Sequence, residues 1–169
     1  MPNPSRNIQN RHRARELAVQ LLYSLGIRPR QDLDRCVEVF LSEDGFASGE
    51  GLAVREYLNF LVRGAWTRRL DIDGTMRAIV TGWRPERMVA VDRAVLRLAI
   101  FEGAVEKKVP LPVAISEAVD LARVFGTEDS GKFVNGVLAK VARLEEERAS
   151  AEREEREDAA SASTVPVDR

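Results

Sequence analysis

Apolar residues recur at positions 14, 17, 18, 21, 22 and 25, the spacing of one helical face, and Gly26 supplies a stop. A second helical pattern uses Leu33, Val37, Phe40 and Leu41 and breaks in the glycine cluster Gly45 to Gly51. A third runs through Val54, Tyr57, Leu58, Leu61, Val62 and Ala65. A short fourth carries Met76, Ile79 and Val80, with Asp71 or Asp73 as its cap and Gly82-Trp83-Arg84-Pro85 as its stop. Met88 to Glu102 make the fifth, with Val91, Ala94, Val95, Leu98 and Phe101 turned inward. The stiff connector from Val109 ends in Pro112, a residue suited to the first helical position. From there a sixth helix turns Ile115, Ala118, Leu121, Ala122 and Phe125 inward and ends at Gly126. Thr127 or Asp129 caps a seventh that buries Phe133, Val134, Val137, Leu138 and Val141. Gly136, in mid-helix, costs about 1 kcal/mol against alanine, which predicts close approach of another helix there. No alternating strand pattern occurs, so the class is all-α, a compact bundle of about seven helices.

The flanks read differently. Residues 1–10 carry two prolines and three asparagines and little to bury, which predicts a flexible basic arm. The helical core spans residues 11–144. Residues 145–169 are charged and alanine-rich with no apolar stripe, a tail that frays from the last helix through Glu/Arg pairs or stays disordered. At 169 residues, 44% of them apolar, the chain suits one domain. Its 26 basic and 27 acidic residues nearly cancel, so the whole molecule has no general attraction to nucleic acid or membrane. The balance is uneven, however: residues 1–30 carry six arginines against Glu16, a net +5, and residues 144–169 a net −5.

Composition excludes several chemistries. A lone Cys36 and a lone His12 make neither a disulfide framework nor a Cys/His zinc site, and Cys36 reads as a small buried hydrophobe. No glycine-rich phosphate loop, HExxH or GxSxG is present, so neither a catalytic residue nor a cofactor or metal is expected. No apolar run reaches membrane-spanning length and no apolar leader follows the start, which points to a soluble cytoplasmic protein.

Three features remain. Arg11, Arg13 and Arg15 oppose the helix dipole at the start of the first helix, so something other than helix stability explains them. Together with Arg6 and His12 they supply planar donors suited to phosphate. Tyr23 falls at the edge of the apolar stripe, where a ring both packs and offers a face for stacking. Lys132, Phe133 and Asn135 combine a cation, a ring and an amide near the start of the seventh helix. The structural alternatives are a solvated basic end, a core-edge tyrosine and a capped helix with a buried phenylalanine.

The blocks RHRARELAVQLLYSLG at 11–26, VDRAVLRLAIFE at 91–102 and VPLPVAISEAVDLARVFGTEDSGKFVNGVLAKVAR at 109–143 resemble the NusB family of bacterial transcription antitermination factors. The resemblance implies two packed helical subbundles. It implies binding of single-stranded boxA RNA from ribosomal RNA leader transcripts together with NusE, the ribosomal small-subunit protein. The pair then joins the RNA polymerase elongation complex with the other Nus factors and prevents premature termination. Residue by residue, it assigns RNA contact to Arg11, His12, Arg13 and Arg15, and also to Asp129, Lys132 and Phe133. It places Tyr23 near both the RNA and NusE surfaces, and Glu86 and Asp92 on the NusE-facing side. His12 departs from the commoner arginine and is a weaker phosphate contact at neutral pH; Gly131 replaces a commonly bulkier polar residue. Family members occur as monomers and as homodimers, and the pattern leaves this chain's state open. Two other readings stay open: the RNA-binding module found fused to ribosomal RNA methyltransferases, for which this chain lacks a cofactor-binding domain, and a helical scaffold that binds only protein.

Overall fold

The computed structural model describes residues 4–28, 30–42, 49–82, 84 and 87–162. Among them lie seven α-helices and no strand: α1 (Pro4–Ile27), α2 (Leu33–Leu41), α3 (Gly49–Thr67), α4 (Arg69–Ile79), α5 (Ala90–Ile100), α6 (Leu111–Phe125) and α7 (Ser130–Ala162). None is long and apolar enough to cross a membrane.

Both ends are more helical than the apolar stripes required. Pro4 opens α1 at a position where its missing N–H is harmless, so residues 4–10 continue the helix instead of forming an irregular arm. At the other end α7 runs for 33 residues into the charged stretch, with an Arg148–Glu145 pair at 3.1 Å along its exposed surface.

Several helix starts differ from expectation. A single residue, Arg68, separates α3 from α4 and occupies the cap position without a side-chain cap. Asp71 stays exposed in the first turn, and Asp73 is consumed by a buried bidentate pair with Arg97, at 2.9 and 2.6 Å. At α7 the side-chain bond comes from Ser130, whose Oγ accepts the Thr127 N–H at 2.9 Å. Gly136 meets nothing within 4 Å of an added Cβ, so no helix approaches it. The packed glycine is Gly131, where a Cβ would lie 2.9 Å from Cγ of Arg123.

One apolar cluster joins all seven helices. An ideal Cβ on Gly26 would lie 3.5 Å from the Arg93 guanidinium, while Arg15 meets Glu102, so α1 and α5 run antiparallel. Gly103 packs on Ala114, which sets α6 antiparallel to α5 and parallel to α1. The start of α1 therefore lies beside the start of α6, and the end of α1 beside the start of α5. On α3, Gly64 leaves room for the ring of Phe101.

α5 continues through a π-helical turn, Phe101–Val105, in which the Glu106 N–H reaches the Phe101 carbonyl at 2.9 Å. Lys107, at φ 50°, then reverses the chain, and the Lys108 N–H returns to the Glu102 carbonyl at 2.9 Å.

Candidate nucleic-acid interface

The start of α1 presents its basic residues in different directions. Arg13 is on the solvent face, its side chain 58% exposed and 2.9 Å from Glu16. Arg11, two residues earlier and so about 160° around the helix, lies over the Tyr57 ring of α3 at 5.1 Å from its centroid. His12 sits between two carboxylates, with Nδ1 2.7 Å from Glu117 and Nε2 3.6 Å from Glu16.

Arg15 is not a surface residue. Its Nε and Nη2 grip Glu102 at 2.8 to 3.1 Å, Nη1 stands 3.4 Å from Glu117, and the whole residue is buried. The Tyr57 hydroxyl donates to the same Glu102 carboxylate. Burial alone lowers the Arg15 pKa, but the hydrogen bond and charge of Glu102, with Glu117 behind it, raise it overall. Burial, then the neighbouring Glu102, pushes the Tyr57 phenol well above its ordinary range. The expectation of a phosphate contact from Arg15 is thus corrected: its donors are spent inside the fold.

The remaining candidates gather at the other end of α1. Helical rise sets Tyr23 about 15 Å along the axis from Arg13, and it is 39% exposed. On the first turn of α7, Lys132 is exposed and Phe133 is 38% exposed, because Val134 takes the core position between them and Val137. Asp129, just before that turn, is exposed. Asp92 was expected on the partner-facing side but is 4% exposed. It accepts a hydrogen bond from Ser130 and leaves its Oδ1 without a partner, and burial raises its carboxyl pKa. It fastens the start of α5 beneath the start of α7 and offers no outward surface. Glu86 lies outside the described residues. The candidates therefore form two groups, half-buried Arg11 and His12 with exposed Arg13 at one end, and exposed Tyr23, Asp129, Lys132 and Phe133 at the other.

Tyr57, Glu102, Glu117 and Lys108, which orient or flank the basic group, were not singled out from the sequence. Glu102 left a trace there, as a carboxylate closing the apolar run VLRLAIF at an inward position four after Leu98. Among the described residues no cluster of His, Cys, Asp and Glu is arranged to hold a metal ion. The part-buried Cys36 thiol donates to Gln31 Oε1 at 3.3 Å.

Solved structures share this fold. A NusB of T. maritima superimposes with a TM-score of 0.69 at 33% identity, over 85% of this chain and 93% of that one. A NusB solved with NusE and double-stranded RNA gives 0.70 at 26% identity, over 80% and 98%. Among curated sequences, the transcription antitermination protein NusB of Symbiobacterium thermophilum is 41% identical over 141 residues, spanning 79% of this chain and 90% of the relative. That of Herpetosiphon aurantiacus is 42% identical over 134 residues, spanning 78% and 88%. Residues 12–143 match the profile of the NusB family. The chain belongs to the NusB family.

Proposed function

We propose that this protein is a transcription antitermination factor that binds single-stranded boxA RNA of ribosomal RNA leader transcripts together with NusE. In the cytoplasm the pair joins the RNA polymerase elongation complex with other Nus factors and prevents premature termination. The role is regulatory, with no bond made or broken by the protein. The observation that carries the reading is the structural match to a NusB held in complex with NusE and RNA. The local geometry supports it: Arg13 is exposed and Arg11 lies half-buried on Tyr57 at the start of α1, and Tyr23, Lys132 and Phe133 offer two rings and a cation at the far end. Cations take phosphates and rings stack on unpaired bases, the two contacts that single-stranded RNA recognition uses. Asp129 adds an acceptor for a base edge, and His12 stands between Arg11 and Arg13 in the same group. Tyr23 serves NusE as well as RNA, and Glu86 extends the NusE-facing side.

Fluorescence anisotropy of a labelled boxA RNA, a scrambled strand and a duplex, with and without NusE and at two salt concentrations, tests this. Preference for boxA that NusE strengthens, with affinity falling by about 0.7 log units per phosphate contact for each tenfold rise in salt, is expected. Equal binding of boxA and scrambled strands in the presence of folded NusE overturns it.

A further inference from the structure

An open groove of about 380 Å³ lies between the start of α1 and α3, lined by Asn7, Asn10, Arg11, Tyr57, Phe60 and Lys108. Two cations reach it from different elements. Arg11 comes from α1 and sits 5.1 Å from the Tyr57 centroid; Lys108 comes from the loop after the π turn, with Nζ 5.5 Å from the Phe60 centroid. The two rings stack 5.9 Å apart with planes 24° from parallel, and Phe60 rests on the buried Phe101 at 5.3 Å. Each part is held in place: Tyr57 by its bond to Glu102, Phe60 by Phe101, and Lys108 by the left-handed turn at Lys107.

Two neighbouring cations are held by partners from other helices, His12 on Glu117 and Arg15, buried, on Glu102, while Arg13 faces solvent on another side of α1. Among the described residues Arg11 and Lys108 take part in no ion pair and rest on aromatic faces instead. A cation buried on a carboxylate has its donors spent, whereas one on a ring keeps its charge and its outward N–H donors for an anion. Asn7 and Asn10 add amide donors at the same wall. Glu56 is the one carboxylate among the lining residues.

We propose that this groove is a phosphate subsite for the RNA backbone, in which Arg11 and Lys108 hold the phosphodiester and Asn7 and Asn10 bond its oxygens. The inference rests on the RNA reading above and carries the RNA path across α1 onto the α3 side. It assigns RNA contact to Lys108, a residue outside both candidate groups, and makes Glu56 an opposing charge.

Anisotropy titrations of the full chain with labelled single-stranded boxA RNA at two salt concentrations test it, using Lys108→Ala, Glu56→Gln and Arg13→Ala alongside the unaltered protein. Lys108→Ala is expected to weaken binding about fivefold and to flatten the salt slope by about 0.7, with an unchanged melting temperature. Glu56→Gln is expected to strengthen binding about twofold, a gain that a merely structural role does not produce. Unchanged affinity and slope in Lys108→Ala, where Arg13→Ala weakens binding, overturns the subsite and leaves the RNA reading standing. If Lys108→Ala also melts lower, Glu56→Gln decides, and its failure to tighten binding overturns the subsite. No binding of RNA by the unaltered chain, with and without NusE, overturns both.

Discussion

Arg13 and Arg15 stand two positions apart on one helix and face opposite environments. Arg15 precedes Ala18 by three and Leu22 by seven residues, so it points along the apolar stripe, where the Glu102 carboxylate, with Glu117 behind it, makes a charge tolerable. Arg15→Ala leaves Glu102 buried and uncompensated and is expected to lower unfolding free energy by about 3–5 kcal/mol in urea titrations. Arg13→Ala is expected to change stability by no more than about 0.5 kcal/mol while weakening RNA binding. Equal stability of the two variants would contradict the buried role. Asp92 gives a pH signature. Its raised pKa means that the folded state holds a proton when the unfolded chain has lost it. The sign follows: from the ordinary carboxylate range up to the raised value stability falls as pH rises, and the deficit persists at neutral pH. Asp92→Asn should therefore melt higher than the unaltered protein at pH 7, with the difference closing toward pH 4; parallel melting profiles would contradict this. Both inward positions were legible in the spacing, since Asp92 precedes Val95 by three and Ala99 by seven. The partners were not, because Glu102 lies 87 residues from Arg15 and only the antiparallel packing of α1 on α5 brings them together.

At the level of helices, burial made some boundaries readable and left others open. The apolar stripes marked α2 and α6 to within about a residue, because each helix ends where its buried face ends. The far half of α7 buries little and is helical through propensity and local side-chain bonds, which leave no apolar trace in a sequence, and the start of α1, where residues 5–9 are exposed, leaves none either. The π turn was illegible for a related reason: it follows from how Phe101 and Gly103 meet α3 and α6. Gly64 shows that contact most directly, since an added Cβ would lie 1.9 Å from Cζ of Phe101. Alanine there gains about 1 kcal/mol of helix propensity, yet the ring must move, and overpacking of this kind costs about 1–3 kcal/mol or more. Gly64→Ala is therefore expected to lower the melting temperature; a rise would show that the ring has room to shift. The displaced Phe101 would also unseat Phe60 and with it Lys108.

Over the whole molecule, opposite charges are gathered toward one end. α7 extends about 50 Å, and Glu145, at the beginning of its acidic stretch, lines a groove with Lys107 and Lys108. A negative rod that starts beside the basic surface competes with a polyanion for the same cations. Deleting residues 145–169 is expected to tighten RNA binding at low salt, with the gain shrinking as salt screens the repulsion. Unchanged or weaker binding at low salt would overturn that expectation. The same long-range pairing that holds α1 in place also sets an order in time. The basic start of α1 leaves the ribosome well before its partner on α6, since Glu117, which holds His12, follows 105 residues later. At ordinary elongation rates that gap is about 5–20 s. A nascent chain therefore carries Arg15 and His12 for seconds before Glu102 and Glu117 exist to hold them, and the finished RNA surface belongs only to a protein whose α6 has been synthesised.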